Sequence, residues 1–284
     1  MPVYERGYKH WERSASTTSP PWWVIARRGI AEPLKRRGFL FLLMIAWVPA
    51  IVKGGIMYFK YKFGELADLV GGNWVAVDAS GFYSFLKWQK YFVLIMLAII
   101  GTRLIAKDRE ENGLALYFAR PLTLFDYVLG KMLVILFYYF CVTLFPVWIL
   151  SLFGYLVTQG NTGMDMLLLT PLRAIVFCGL AGISMSLILL AMSALGRRAV
   201  FIAVGWVLLY LGSEQIANIL VVLQDDWLRI VDFPAQYFQA GAWLFGAETD
   251  PDFSPWVSGS LIVVYTVIAV VVLRQRIRPV EVVS

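Results

Sequence analysis

The sequence predicts an all-α membrane protein: six transmembrane helices with an N-terminal interfacial elbow helix. Three observations predict it. The 284 residues are 60% hydrophobic and only 15% charged, with a mean hydropathy of +0.69, whereas a soluble domain is closer to half apolar and a quarter charged. The apolar residues are gathered into six runs long enough to cross a bilayer, which takes about 20 residues per helix. The charge is also asymmetric. With the N-terminus inside, cytoplasmic segments hold 18 of the 25 Lys and Arg, leaving Lys53, Lys60, Lys62, Lys87, Lys90, Arg173 and Arg229 toward the outer side. That bias satisfies the positive-inside rule with both termini cytoplasmic.

Taken in order, residues 1–21 form a polar tail ending in SASTTSPP, expected to be flexible. It does not read as a signal peptide, because the first apolar run starts only near Phe39 and is long enough to span. Residues 22–38 differ in kind. Trp23, Ala26, Ile30 and Leu34 repeat every three to four residues, one face of a helix, while Arg27, Arg28, Lys35 and Arg36 occupy the rest. Such a helix suits the inner interface, with its basic residues on anionic phosphates; Pro33 is expected to bend it. The alternative is a basic stop flanking the first span.

Residues 39–284 then form the transmembrane domain, with spans at about 39–58, 88–106, 127–157, 172–195, 199–222 and 257–273. The third is longer than a crossing needs, and Pro146 is the expected bend. In the fourth, Gly179, Gly182, Ser184 and Ser186 supply small side chains for close helix packing, within the chain or between chains. The outer loops are 59–87 and 223–256; the second is too short for a core of its own and suits short helices packed on the outer face.

Several chemistries are excluded. Both cysteines, Cys141 and Cys178, fall inside apolar spans, which argues against a structural disulfide. The single histidine, His10, rules out metal or catalytic sites built on several histidines. A phosphate-binding G-x-x-x-x-G-K-[ST] loop would have to end at Gly130-Lys131, but Phe125 and Met132 occupy its other fixed positions. The net charge of +6 reads as topology, with no nucleic-acid motif beside it. One ionisable residue in the fifth span, Glu214, lies about 15 residues from the inner end, roughly 22 Å deep. It is the one candidate for a substrate path; a structural or interfacial role is the other reading.

The most informative stretch is GTRLIAKDREENGLALYFARPLTLFDYVLGK, residues 101–131. Charges concentrate between two apolar spans, Gly113 permits a sharp change of direction, and Arg120-Pro121 restricts the backbone. Thr123 with Asp126 three residues later resembles a capping box, with Asp in place of Glu or Gln. Leu114 and Phe118 sit inside this polar surround, and apolar residues rimmed by charge suggest a partner surface. An ordinary polar connector dipping into the interface is the alternative.

The pattern I-A-x-D-R-E-x-N-G-L…RPL…D-Y…G-K, residues 105–131, resembles the cytoplasmic loop of permease subunits in type-2 ABC exporters. The six spans, the interfacial helix and the short cytoplasmic C-terminus are also similar to that family. The resemblance implies a chain with no catalytic site, cofactor or metal of its own. ATP and Mg would be held by a separate ATPase subunit, present in two copies, and a second permease chain would complete a homodimer or heterodimer. It implies export across the cytoplasmic (inner) membrane, and ATPase-coupling residues Asp108, Arg109, Glu110, Glu111, Gly113, Leu114, Phe118, Arg120 and Pro121. Membrane lipid, and no nucleic acid, is the remaining expected partner. A membrane-embedded enzyme or electron-transport subunit, or a non-transporting scaffold or sensor, are the competing readings.

Overall fold

The computed structural model describes residues 20–63, 78–110, 122–158, 165–196, 198–223, 226–249 and 254–277. The described residues are almost entirely helical. Six helices are long and apolar enough to cross a membrane: Arg37–Phe63, Ala79–Glu110, Leu124–Val157, Asp165–Leu195, Ala199–Val222 and Pro255–Arg276.

Helix α1 (Pro21–Leu34) starts on Pro21 at its first turn, where a missing N–H costs nothing, and ends just after Pro33. Its face formed by Trp22, Ile25, Ala26, Gly29, Ile30, Pro33 and Leu34 turns inward. The sequence placed Trp23 on this face; the structure puts Trp22 there and leaves Trp23 exposed. Helix α2 (Arg37–Phe63) is the first span and is apolar around most of its circumference, with Lys60 and Lys62 in its last turn. It also carries Lys53, buried within the bundle.

Helix α3 (Ala79–Leu104) is capped by Asp78, whose Oδ1 accepts a hydrogen bond from Gly81 N at 2.9 Å. A turn at Ile105 separates it from the short α4 (Ala106–Glu110). The third span is α5 (Leu124–Val142) followed by α6 (Leu144–Val157). The interruption lies at Thr143, within a turn of Pro146, which has no N–H for the Val142 carbonyl. Helix α7 (Thr170–Leu195) follows a π-helical turn, Asp165–Leu169. The fifth span is α8 (Ala199–Val207), a π-helical turn (Leu208–Gly212) and α9 (Ser213–Leu223). The helix therefore runs through Gly212 and carries Glu214 with it.

After a 3₁₀ turn at Asp226–Val231 comes α10 (Phe233–Phe245), capped by Asp232 at one end and by Gly246, φ +67°, at the other. Its buried Phe233, Tyr237 and Phe245 pack it onto α3, α7 and the last span, α11 (Pro255–Arg276). The bundle is built around α3, α5–α6 and α7, which are mostly buried, while α2, α8–α9 and α11 leave most of their apolar surface outward. Ile100, Ile135, Tyr139 and Leu189 lie in the shared core. Gly182 lets α7 approach α5, since a Cβ there would sit 2.9 Å from Leu136 and Tyr139.

Candidate functional site

The polar stretch singled out in the sequence leaves the bundle at the C-terminal end of α3 and returns at α5. The outgoing end is tied to three elements. Asp108 Oδ2 lies 2.7 Å from Lys131 Nζ on α5 and accepts a hydrogen bond from the Tyr127 hydroxyl at 2.7 Å. Lys131 Nζ also donates to the Leu104 carbonyl at 2.9 Å, one of the acceptors left open where α3 stops. The ammonium stands 5.6 Å from the centre of the Tyr127 ring, a further cation–π contact. With the Lys131 and Asp108 side chains 9% and 16% exposed, this pair is shielded from water. It is thus far from the surface pairs that contribute little.

The third tie runs to α7. Ser193 Oγ accepts from the backbone N–H of Ile105 and of Ala106, each at 3.1 Å, and donates to the Thr102 carbonyl at 3.1 Å. One hydroxyl thereby serves both sides of the break between α3 and α4. The Arg109 guanidinium donates to the Ala194 carbonyl next to it. The returning end is fixed locally. Thr123 and Asp126 form a complete capping box: Asp126 N donates to Thr123 Oγ1 at 3.1 Å and Thr123 N donates to Asp126 Oδ2 at 3.3 Å.

Helix α1 lies alongside the same region of α5. Gly29 and Gly130 make the close approach: a Cβ at Gly29 would stand 2.5 Å from Val134 Cγ2, and one at Gly130 would stand 2.9 Å from the Trp22 carbonyl oxygen. The Tyr138 hydroxyl donates to the Ile30 carbonyl at 2.5 Å. The Lys107–Glu32 pair, at 3.8 Å and half exposed, adds little to this docking. Among the described residues, the arrangement is a junction where four elements meet: α1, the α3–α4 break, α5 and α7.

A family model described as "ABC-2 family transporter protein" matches residues 33–212, more than half of the chain. The chain belongs to that family. No curated protein matches it. The ABC-2 match runs from the end of α1 through the π-helical turn of the fifth span, so it includes the α3, α5 and α7 parts of the junction. The chain is accordingly a multi-pass membrane permease of an ABC transporter. ABC-2 permeases are transmembrane components rather than catalytic subunits, and membership implies an ATPase partner.

Within this ABC-2 protein, the sequence-predicted coupling residues divide. Asp108 and Arg109 turn inward to the contacts described above, and Glu110 is exposed at the end of α4. Glu111, Gly113, Leu114, Phe118, Arg120 and Pro121 lie outside the described residues. The sequence reading missed Ser193 and Ala194, and gave Tyr127 and Lys131 places in the motif without partners. A serine two residues from the end of an apolar span was the one local signal for Ser193.

Glu214 is embedded in an ion pair. Its Oε1 lies 2.7 Å from Lys90 Nζ on α3, with side chains 22% and 13% exposed. Its other oxygen, Oε2, is buried without a hydrogen-bond partner among the described residues. Nearby, Ser213 Oγ accepts from Phe233 N at 3.1 Å, tying α9 to the start of α10. Asp232 caps that start by accepting from Ala235 N at 3.1 Å. Burial, reinforced by Glu214, pushes the Asp232 carboxyl up to about 6, against the lowering effects of the Ala235 N–H, Lys90 and Arg229.

Proposed function

We propose that this permease couples ATP hydrolysis by a separate ATPase subunit to export of a substrate across the cytoplasmic membrane. In this reading both termini are cytoplasmic, as the positive-inside bias supports. Two permease chains and two ATPase chains form the working unit, with ATP and Mg held entirely by the ATPases. The stretch from Glu110 to Phe118 docks on the ATPase, with Arg120 and Pro121 holding the turn back into the membrane. Helix α1 lies in the inner interface, its Arg27 and Arg28 facing anionic lipid.

The observation that carries the proposal is the shielded Asp108–Lys131 pair beside the Ser193 bracket. A push from outside reaches a spanning helix only through a stiff joint, and packed elements with fixed hydrogen bonds provide one. Asp108, Arg109 and Ser193 bind the exit of the stretch to α3, α5 and α7 together, so a displacement of the docked surface moves three spans as a unit. Asp108 and Arg109 then act as positioning residues, and Glu110 and Glu111 as the contact.

The test is co-purification of the permease with its ATPase from the native membrane, followed by charge reversal through Glu110→Lys with Glu111→Lys. Loss of assembly and of substrate-stimulated ATP turnover is the expected result. Unchanged assembly and turnover would refute the coupling role.

A further inference from the structure

A groove of ≈ 330 Å³ opens on the membrane-facing side of α7, α10 and α11. It exists because small residues line its floor: Ala181 and Ala240, with Gly259 at one end. Its volume is about twice that of the ~150 Å³ apolar cavities that take up benzene and stay free of water. Leu180 and Val263, 66% and 61% exposed, stand on α7 and α11 at its rim. Both helices are long and apolar enough to cross a membrane, so bilayer hydrocarbon is what meets this rim.

The floor shows which part of a lipid fits. No charged residue lines the groove. Its hydroxyls are committed to one another in a single direction. Thr266 Oγ1 donates its only hydrogen to the Ile262 carbonyl at 2.7 Å. Ser184 Oγ, 2.7 Å from Thr266 Oγ1, must therefore donate to it, and the Tyr237 hydroxyl, 2.9 Å from Ser184, must donate to Ser184. Every hydroxyl donor is used within the protein, so a phosphate headgroup would find none, whereas a hydrocarbon chain loses nothing by lying there. We infer that the α7–α10–α11 groove is a binding site for one acyl chain of a membrane lipid, lodged against Tyr237 and packing α10 to the last span.

The permease assembly, reconstituted in nanodiscs containing a phosphatidylglycerol with a diazirine on one acyl chain, tests this by photolabelling and peptide mapping. Label is expected on the floor, at Tyr237 and Ala181, as well as on the outward face of α11 at Val264 and Ile268. Gly259→Leu should then abolish floor labelling and leave the outward label in place, since a Cβ at Gly259 meets nothing within 4 Å and the larger side chain grows into open space. Ala240→Phe, entering from α10, provides a second filling variant should the first fold poorly. An unlabelled floor beside a labelled rim would overturn the inference. Floor label that persists in a folded filling variant, or crosslinks that show a second permease chain covering the groove, would do so equally.

Discussion

Ser193 Oγ accepts the backbone N–H of Ile105 at 3.1 Å, although the two residues lie 88 positions apart. The same oxygen serves Ala106 N and donates to the Thr102 carbonyl. A short helix can begin anew so soon after α3 ends because this hydroxyl supplies what the broken ladder lacks. Ser193→Ala leaves two buried N–H groups without an acceptor. The expected cost is about 1–3 kcal/mol. Hydrogen exchange should rise selectively at Ile105 and Ala106, and uniform exchange across α3 would contradict the assignment.

Lys131→Met removes the counter-charge of the Asp108 carboxylate in a shielded site, and Asp108→Asn removes that of the ammonium. Each single change should destabilise by about 3 kcal/mol, in the range for breaking a buried pair. The double variant should cost clearly less than the sum of the two, a coupling of about 1–3 kcal/mol in a double-mutant cycle. Additive effects in reversible unfolding experiments would show that the pair acts as two independent groups.

Gly130→Ala puts a methyl group 2.8 Å from Ile25 Cβ and 2.9 Å from a backbone oxygen of α1. Backbone cannot rotate away as a side chain can, so α1 must shift, at about 1–3 kcal/mol. Trypsin cleavage after Arg27 and Arg28 is the readout, expected to accelerate. Gly179→Ala is the matched control: a Cβ there meets nothing within 4 Å, and alanine favours the helix by up to about 1 kcal/mol.

The Asp232 carboxyl titrates at about 6 in the folded chain against 3.8 ordinarily. Between those values the folded state binds more protons than the unfolded state, so stability falls as pH rises from about 4 to 6 and levels off above. Asp232→Asn keeps an oxygen to accept the Ala235 N–H and removes the proton equilibrium. Subtracting its melting-temperature profile from that of the parent should isolate a decline across pH 4–6; a flat difference would refute the buried placement of this carboxyl.

Hydropathy and charge made the six spans legible, because length and composition are local properties. Thr123-x-x-Asp126 was readable for the same reason: a capping box closes within four residues. Pro146 announced the interruption of the third span, which falls at Thr143. Helix α1 was readable as amphipathic but its register was not, since Gly29 and Gly130 decide which tryptophan turns inward only once α5 is in place. The junction itself was largely hidden. Asp108 and Arg109 read as outward-facing acid and base because their neighbours are charged. Their partners, Lys131 and the Ala194 carbonyl, are brought in by tertiary packing that no periodicity encodes. Glu214 drew attention through the rarity of acids in apolar spans, but nothing local linked it to Lys90.

The discontinuity at Thr143 divides labour within a single membrane crossing. Thr143 N still reaches the Tyr139 carbonyl at 3.0 Å, yet Val147 N meets the Thr143 carbonyl only at 3.4 Å, and Pro146 contributes no donor between them. Leu124–Val142 belongs mechanically to the Asp108 anchorage, whereas Leu144–Val157 leans on α2 and α7. One crossing is therefore two helical segments, each held by a different set of neighbours.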